Sequence, residues 1–241
     1  MREKNSNMKI LRALADEAPL TIYAIARKSG VAVSLVHKIV RNLETGFEPQ
    51  KIVKGTSEET WRTGLRRVEY VLTFRGLVEY FGLLFEERRV ERSEVKSVIR
   101  RYREFYDYPL FIEQESLEAW LGPQVYDLIC SAAWILKNRP PSVPIITGSV
   151  SGLLPAIIQS INERRIPIPI RWEEKILPYA FALVFFDLVA LTTGGEKISP
   201  TPNPALYKLV DETYEALRGA LEQHLKEVEK FEDALKKQLS T

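Results

Sequence analysis

The 241-residue chain holds one cysteine, Cys130, and two histidines, His37 and His224. A single thiol cannot close an intramolecular disulfide or build a thiolate cluster, and two distant histidines do not make a histidine-rich zinc site. No metal and no cofactor is therefore expected. The opening Met1-Arg-Glu-Lys-Asn-Ser-Asn7 lacks the apolar core of a secretory signal, so a cytoplasmic location is expected. Low-complexity tracts and internal repeats are missing as well. The one long apolar run, residues 176–192, is shorter than the roughly 20 residues that span a bilayer, and it contains Pro178 and Asp187. It reads as a buried helix, with no membrane partner.

Signatures of catalysis also fail. Gly148-Ser-Val-Ser-Gly152 carries Val150 where a hydrolase elbow needs its serine. Thr193-Gly-Gly-Glu-Lys197 lacks the spacing of a phosphate-binding loop. Glu173 and Glu174 sit beside Arg171 and Lys175, which reads as a solvated helix start. No catalytic residue is nominated, and a binding protein is expected rather than an enzyme.

What is present is the composition of a soluble globular protein, with 45% hydrophobic and 27% charged residues. The net charge of +2 is unevenly spread. Residues 1–90 carry 16 Lys and Arg against 11 Asp and Glu, whereas residues 91–241 carry 18 against 21. The positive excess lies in the N-terminal part, where phosphate would be held.

That part contains residues 21–43, which read as two short helices joined by a tight turn. Thr21 is a hydroxyl N-cap. Ile22, Ile25 and Ala26 share one face, and the small Ala26 lets the next helix cross closely. Gly30 falls where the first helix must end in a left-handed residue. Val33, Val36, Val40 and Leu43 form the expected buried stripe of the second helix. Ser34, His37, Lys38, Arg41 and Asn42 then face outward, together with Leu35, which could serve a DNA groove only by meeting a thymine methyl. A first helix over residues 6–18, with Met8, Leu11, Leu14 and Ala15 inward and Pro19 closing it, precedes the pair.

Residues 51–54 and 66–72 read as two strands, with residues 55–65 between them as a projecting tip that includes Glu58 and Glu59. Tyr70-Val-Leu-Thr-Phe-Arg-Gly76 then runs into an apolar helix reaching about Phe85, with Thr73 as its N-cap. Over residues 6–85 this order resembles the winged helix-turn-helix, and Tyr-x-Leu-Thr-x-x-Gly is similar to the end of the wing in regulators of the MarR and PadR type. The resemblance implies a recognition helix at about 33–43 in the major groove of double-stranded DNA. DNA contacts are assigned to Thr21, Ser34, His37, Lys38, Arg41 and Asn42, and in the wing to Lys54, Arg62 and Arg66, with Arg67 in support.

Beyond a charged stretch at 86–92, read as a continuous helix marking a boundary near residue 90, the pattern is helical throughout. Helices are expected over 93–106, 116–121, 124–137, 151–164, 171–193 and 205–239, with an extended Ile166-Pro-Ile-Pro-Ile170. Trp120, Tyr126, Trp134, Trp172, Tyr179, Phe181, Phe185 and Phe186 read as core, with an effector pocket as the alternative. Asp187, ionisable within an apolar helix, needs a partner or water. The last helix places Val210, Tyr214, Leu217, Leu221, Leu225, Val228, Phe231, Leu235 and Leu239 on one stripe, and most of these fit heptad positions.

The expected fold is therefore mostly α: a winged helix-turn-helix of three helices plus a β-hairpin over 1–90, then an all-α domain over 91–241 ending in a long helix. The expected function is a sequence-specific transcriptional regulator, homodimeric through its C-terminal helices, with a small-molecule effector as a candidate partner. The alternative is a winged helix serving as a protein-interaction module in a larger assembly.

Overall fold

The computed structural model describes residues 2–45, 53–60, 66–138, 172–192 and 204–239. The chain opens with α1 (Arg2–Glu17), α2 (Ile22–Ser29) and α3 (Val33–Thr45), each amphipathic at helical spacing. Their inner faces are Ile10, Leu11 and Leu14 from α1, Ile25 and Ala26 from α2, and Val36, Ile39 and Val40 from α3, all buried. Two antiparallel strands follow, β1 (Val53–Thr60) and β2 (Arg66–Leu72), registered from Val53 opposite Leu72 to Thr60 opposite Arg66, with an irregularity between Gly55 and Ser57. Glu58 and Glu59 thus lie within β1 and not at a tip. The local sequence, rich in Gly, Ser and Glu, has weak strand preference, and pairing with Val68, Glu69 and Arg67 carries the strand further than the sequence suggests. The tip expected at residues 61–65 lies outside the described residues.

A further backbone bridge ties this ribbon to the helices. Leu20, in the connector from α1 to α2, donates to Tyr70 O at 3.1 Å, and Tyr70 N–H donates back to Leu20 O at 2.9 Å. Thr73 caps α4 (Phe74–Glu86) as expected, its Oγ1 accepting from Gly76 N–H at 3.1 Å.

The charged stretch at 86–92 is not one continuous helix. α4 stops at Glu86, and α5 (Arg92–Tyr102) starts after a sharp corner. Arg89 N–H donates to Leu84 O at 2.9 Å and Arg88 N–H to Phe85 O at 3.1 Å, while Arg88 sits at φ 55°. Those bonds are a Schellman ending, whose left-handed position is usually glycine. Arginine there hides the stop from a sequence reading. Replacing Arg88 by glycine removes the left-handed penalty of ~1–2 kcal/mol but adds ~0.5–1 kcal/mol of unfolded-state entropy. A net gain of roughly 0.5–1 kcal/mol is expected in urea unfolding, and a loss would contradict this account of the corner.

α5 is followed by α6 (Pro109–Ile112), α7 (Gln114–Leu121), a 3-10 turn at Gly122–Gln124, and α8 (Val125–Asn138). α4 and α8 pack closely at Gly82, where a Cβ would come within 3.3 Å of Ala133 O and Trp134 Cα. α9 (Trp172–Thr192) adds the buried Phe181 and Phe185, and the Phe74 ring meets Tyr108, Phe111 and Phe181 at centroid distances of 4.8, 5.8 and 5.6 Å. Among the described residues no helix is long and apolar enough to cross a membrane. The helix and the extended segment expected at 151–164 and 166–170 lie outside the described residues.

The apolar core is continuous across residue 90. α5 buries Val95, Val98, Ile99 and Tyr102 against the N-terminal elements. The Tyr102 hydroxyl accepts from Leu72 N–H and donates to Leu14 O, both at 3.0 Å. Arg101 donates to Ala15 O at 2.7 Å, and the Tyr106 hydroxyl donates to Leu72 O at 2.7 Å. Burial holds the Tyr102 phenol above its ordinary range. Nearby, Tyr80 donates to Glu94, which also accepts from Arg12 at 3.2 Å.

The last helix, α10 (Pro204–Leu239), runs for 36 residues. Its buried positions in the first half are Leu209, Thr213 and Leu217, while Val210 and Tyr214 are half-buried. The inward face keeps Leu217 of the expected stripe but takes Leu209 and Thr213 in place of Val210 and Tyr214. Tyr214 faces Asp187 of α9, and burial together with that carboxylate raises its phenol. Leu225, expected on the stripe, is 59% exposed. The side chains of Leu221, Val228, Phe231, Leu235 and Leu239 lie outside the described residues.

Candidate nucleic-acid interface

The helix pair is held by local chemistry that the sequence specifies. Thr21 stands in extended backbone at φ −74° and ψ 161°, and its Oγ1 accepts from Ala24 N–H at 3.3 Å. Gly30 ends α2 at φ 66°, in the left-handed conformation that glycine adopts without a Cβ penalty. Ser29 Oγ accepts from Val31 N–H at 3.3 Å, and Val31 is buried. The turn then hands over to α3, where Ala32 O accepts from both Leu35 and Val36 N–H at 2.9 Å. On the far side of α2, Lys28 pairs with Glu17 of α1. The turn bonds at Ser29 to Ala32 thus set how α3 leaves α2, while Lys28 and Glu17 tie α2 to α1.

With Val36, Ile39 and Val40 buried, α3 turns Ser34, His37, Lys38 and Arg41 outward, all exposed. These four lie within one strip, since i, i+3 and i, i+4 positions adjoin on a helix. The strip offers a hydroxyl, an imidazole, an ammonium and a guanidinium, donors suited to base edges and phosphate oxygens. Two expectations for this helix change. Val33, expected inside, is 40% exposed, and Leu35, expected outside, packs against the core as a half-buried residue. At 100° per residue Val33 and Ile39 fall about 60° to either side of Val36, at the two edges of the buried arc, and only Ile39 is covered by neighbours. Val33 also stands in the first turn, where α3 has less of the molecule to lean on.

The other nominated residues divide. Thr21 is half-buried and uses its hydroxyl as the cap of α2, at the end of that helix where unpaired N–H groups collect. The backbone of Asn42 lies in α3, and its side chain lies outside the described residues. The same holds for Lys54, whose backbone pairs opposite Val71 near the base of the ribbon, and for Arg66, opposite Thr60 at its outer end. Arg62 lies outside the described residues. Tyr23, missed by the sequence reading, projects from α2 at 76% exposed. An aromatic at the second position of a short amphipathic helix was the available signal.

Elsewhere, a cleft of about 680 Å³ opens between α1 and the α4–α5 corner, lined by Lys9, Arg12, Arg88, Arg89 and by Glu87, Glu91 and Glu94. Its mixed charges do not extend the cationic strip of α3. Among the described residues no group of His, Cys, Asp or Glu could hold a metal ion. Cys130 is buried in α8, which pushes its thiol above the ordinary range and away from the reactive thiolate.

Comparison with known families matches residues 5–45, from within α1 to the end of α3, to a family described as winged helix-turn-helix DNA-binding. This supports DNA binding in general for the N-terminal part of the chain. No curated protein and no solved structure matches the chain.

Proposed function

We propose that the chain is a transcriptional regulator that reads a specific double-stranded DNA sequence with α3 in the major groove. The observation that carries this reading is the outward strip of Ser34, His37, Lys38 and Arg41 on a helix whose opposite side is anchored in the core. Arg41 and Lys38 suit guanine, Asn42 suits adenine, and Ser34 and His37 can take either a base or a phosphate. Thr21, at the start of α2, suits the phosphate backbone. The β1–β2 ribbon is the wing of a MarR- or PadR-type domain, and Lys54, Arg62 and Arg66 are its residues of a type suited to phosphate.

Residues 1–90 serve DNA and residues 91–241 serve pairing of two copies, with α10 as the joining helix and a small-molecule effector as a further partner. Its support is a 36-residue helix whose second half includes the exposed Leu225. Two recognition helices would then meet half-sites about one helical turn of DNA apart. The protein acts inside the cell by binding and not by catalysis.

Selection of bound duplexes from a random pool tests the reading. Convergence on one sequence, arranged as an inverted repeat, is expected, with affinity at least about 1,000-fold above that for scrambled DNA at the same salt. Binding without enrichment of any sequence would remove the regulator and leave a module for protein contacts.

A further inference from the structure

The strip on α3 is polar except at its start. Val33 opens the helix at 40% exposed, and Ala32 and Ser34 on either side are exposed as well, so nothing in the adjoining chain covers it. Three other large apolar side chains are exposed among the described residues, Tyr23, Leu191 and Leu225, and none of them is on α3. Scattered apolar residues are ordinary on a surface. The position of this one is specific.

Val33 and His37 are four residues apart, about 40° round the helix and one turn along it, so the valine borders the polar strip at its N-terminal end. In helix-turn-helix docking that end of the second helix meets the base edges. The major groove presents hydrogen-bonding groups and one apolar feature, the C5-methyl of thymine. A β-branched side chain in a helix is nearly fixed at χ1, so its methyl groups are already placed. Leu35, the other apolar residue near the strip, is committed to the core.

We infer that Val33 contacts the C5-methyl of a thymine, and that this contact sets a requirement for thymine at one position of each half-site. The inference rests on the groove reading proposed above. It adds a base preference to those of Ser34, His37, Lys38 and Arg41, whose polar ends seek hydrogen-bonding groups, whereas Val33 offers methyl groups alone.

The test uses the full chain and the tightest duplex from the random-pool selection, with each thymine replaced in turn by deoxyuridine, which deletes only the methyl. Loss of one buried methyl contact corresponds to about fourfold in affinity. One thymine per half-site is expected to show that loss with the unaltered protein. Val33→Ala, which favours the helix and so keeps the fold, removes the contact in both half-sites and is expected to bind the thymine duplex about sixteenfold more weakly, about fourfold per half-site, and to lose its sensitivity to that deoxyuridine. The two losses therefore do not add. A protein that selects a sequence yet tolerates deoxyuridine at every position, or a Val33→Ala variant with unchanged sensitivity, overturns the Val33 assignment and leaves the groove reading standing. Failure to select any sequence overturns both.

Discussion

Replacing Lys38 and Arg41 together by alanine removes four contacts from the proposed dimer and is expected to lower affinity for the selected duplex by at least about 1,000-fold at fixed salt. Each side chain is exposed on the outer face of α3, and a good base contact is worth ~1–3 kcal/mol. The fold should not notice: neither residue belongs to the core, so the thermal midpoint is expected to move by no more than about 2 °C. The two roles open to these cations give different secondary results. If both read bases, discrimination between the selected and scrambled duplexes collapses while the salt dependence barely changes. If both hold phosphates, affinity falls equally for every sequence and the salt slope drops by about 1 per residue in each protomer. Affinity within twofold of the unaltered protein would remove α3 as the DNA-reading element.

The second large effect concerns one oxygen atom. Tyr102→Phe keeps the ring and deletes the hydroxyl that accepts from Leu72 N–H and donates to Leu14 O. Leu14 O retains the bond from Ala18 N–H at 3.0 Å, so the loss falls on the buried amide of Leu72. An orphaned buried donor costs ~1–3 kcal/mol, and the bond to Leu14 adds to that, so a destabilisation of about 2–3 kcal/mol is expected. It should appear as a lower urea midpoint with an unchanged slope. Tyr106→Phe is the control. Its hydroxyl is a donor to Leu72 O from a half-buried ring, where water can replace it, and about 1 kcal/mol is expected. Equal effects from the two substitutions would refute the claim that Tyr102 is the bolt between β2, α1 and α5.

These two cases mark what the sequence could and could not disclose. The caps and stops are short-range, so Thr21, Gly30 and Thr73 were legible from residue type and spacing, and the structure places all three as read. The α4–α5 corner was not, because its left-handed residue is Arg88 and the usual glycine is missing. β1 was cut short because Gly55, Ser57, Glu58 and Glu59 have little strand preference of their own and owe their conformation to β2. Nothing in the helical pattern over 93–106 singles out Tyr102, because its acceptor lies 88 residues away in the chain and periodicity carries no record of that. In the candidate site, the polar strip followed from helical phase. The exchange of Val33 and Leu35 did not, since both sit on the margins of the buried arc and tertiary neighbours decide which is covered.

The bridge between Leu20 and Tyr70 has a mechanical consequence. Leu20 immediately precedes the cap of α2, and Tyr70 lies two residues from the end of β2, so a pair of backbone bonds joins the root of the helix pair to the root of the ribbon. Neither can swing without breaking bonds or dragging the other along. On the groove reading proposed above, two jaws joined at the root would resist changing their gap, so bending and groove compression would fall to the DNA and sequences that deform cheaply would be favoured, including at base pairs the protein never touches.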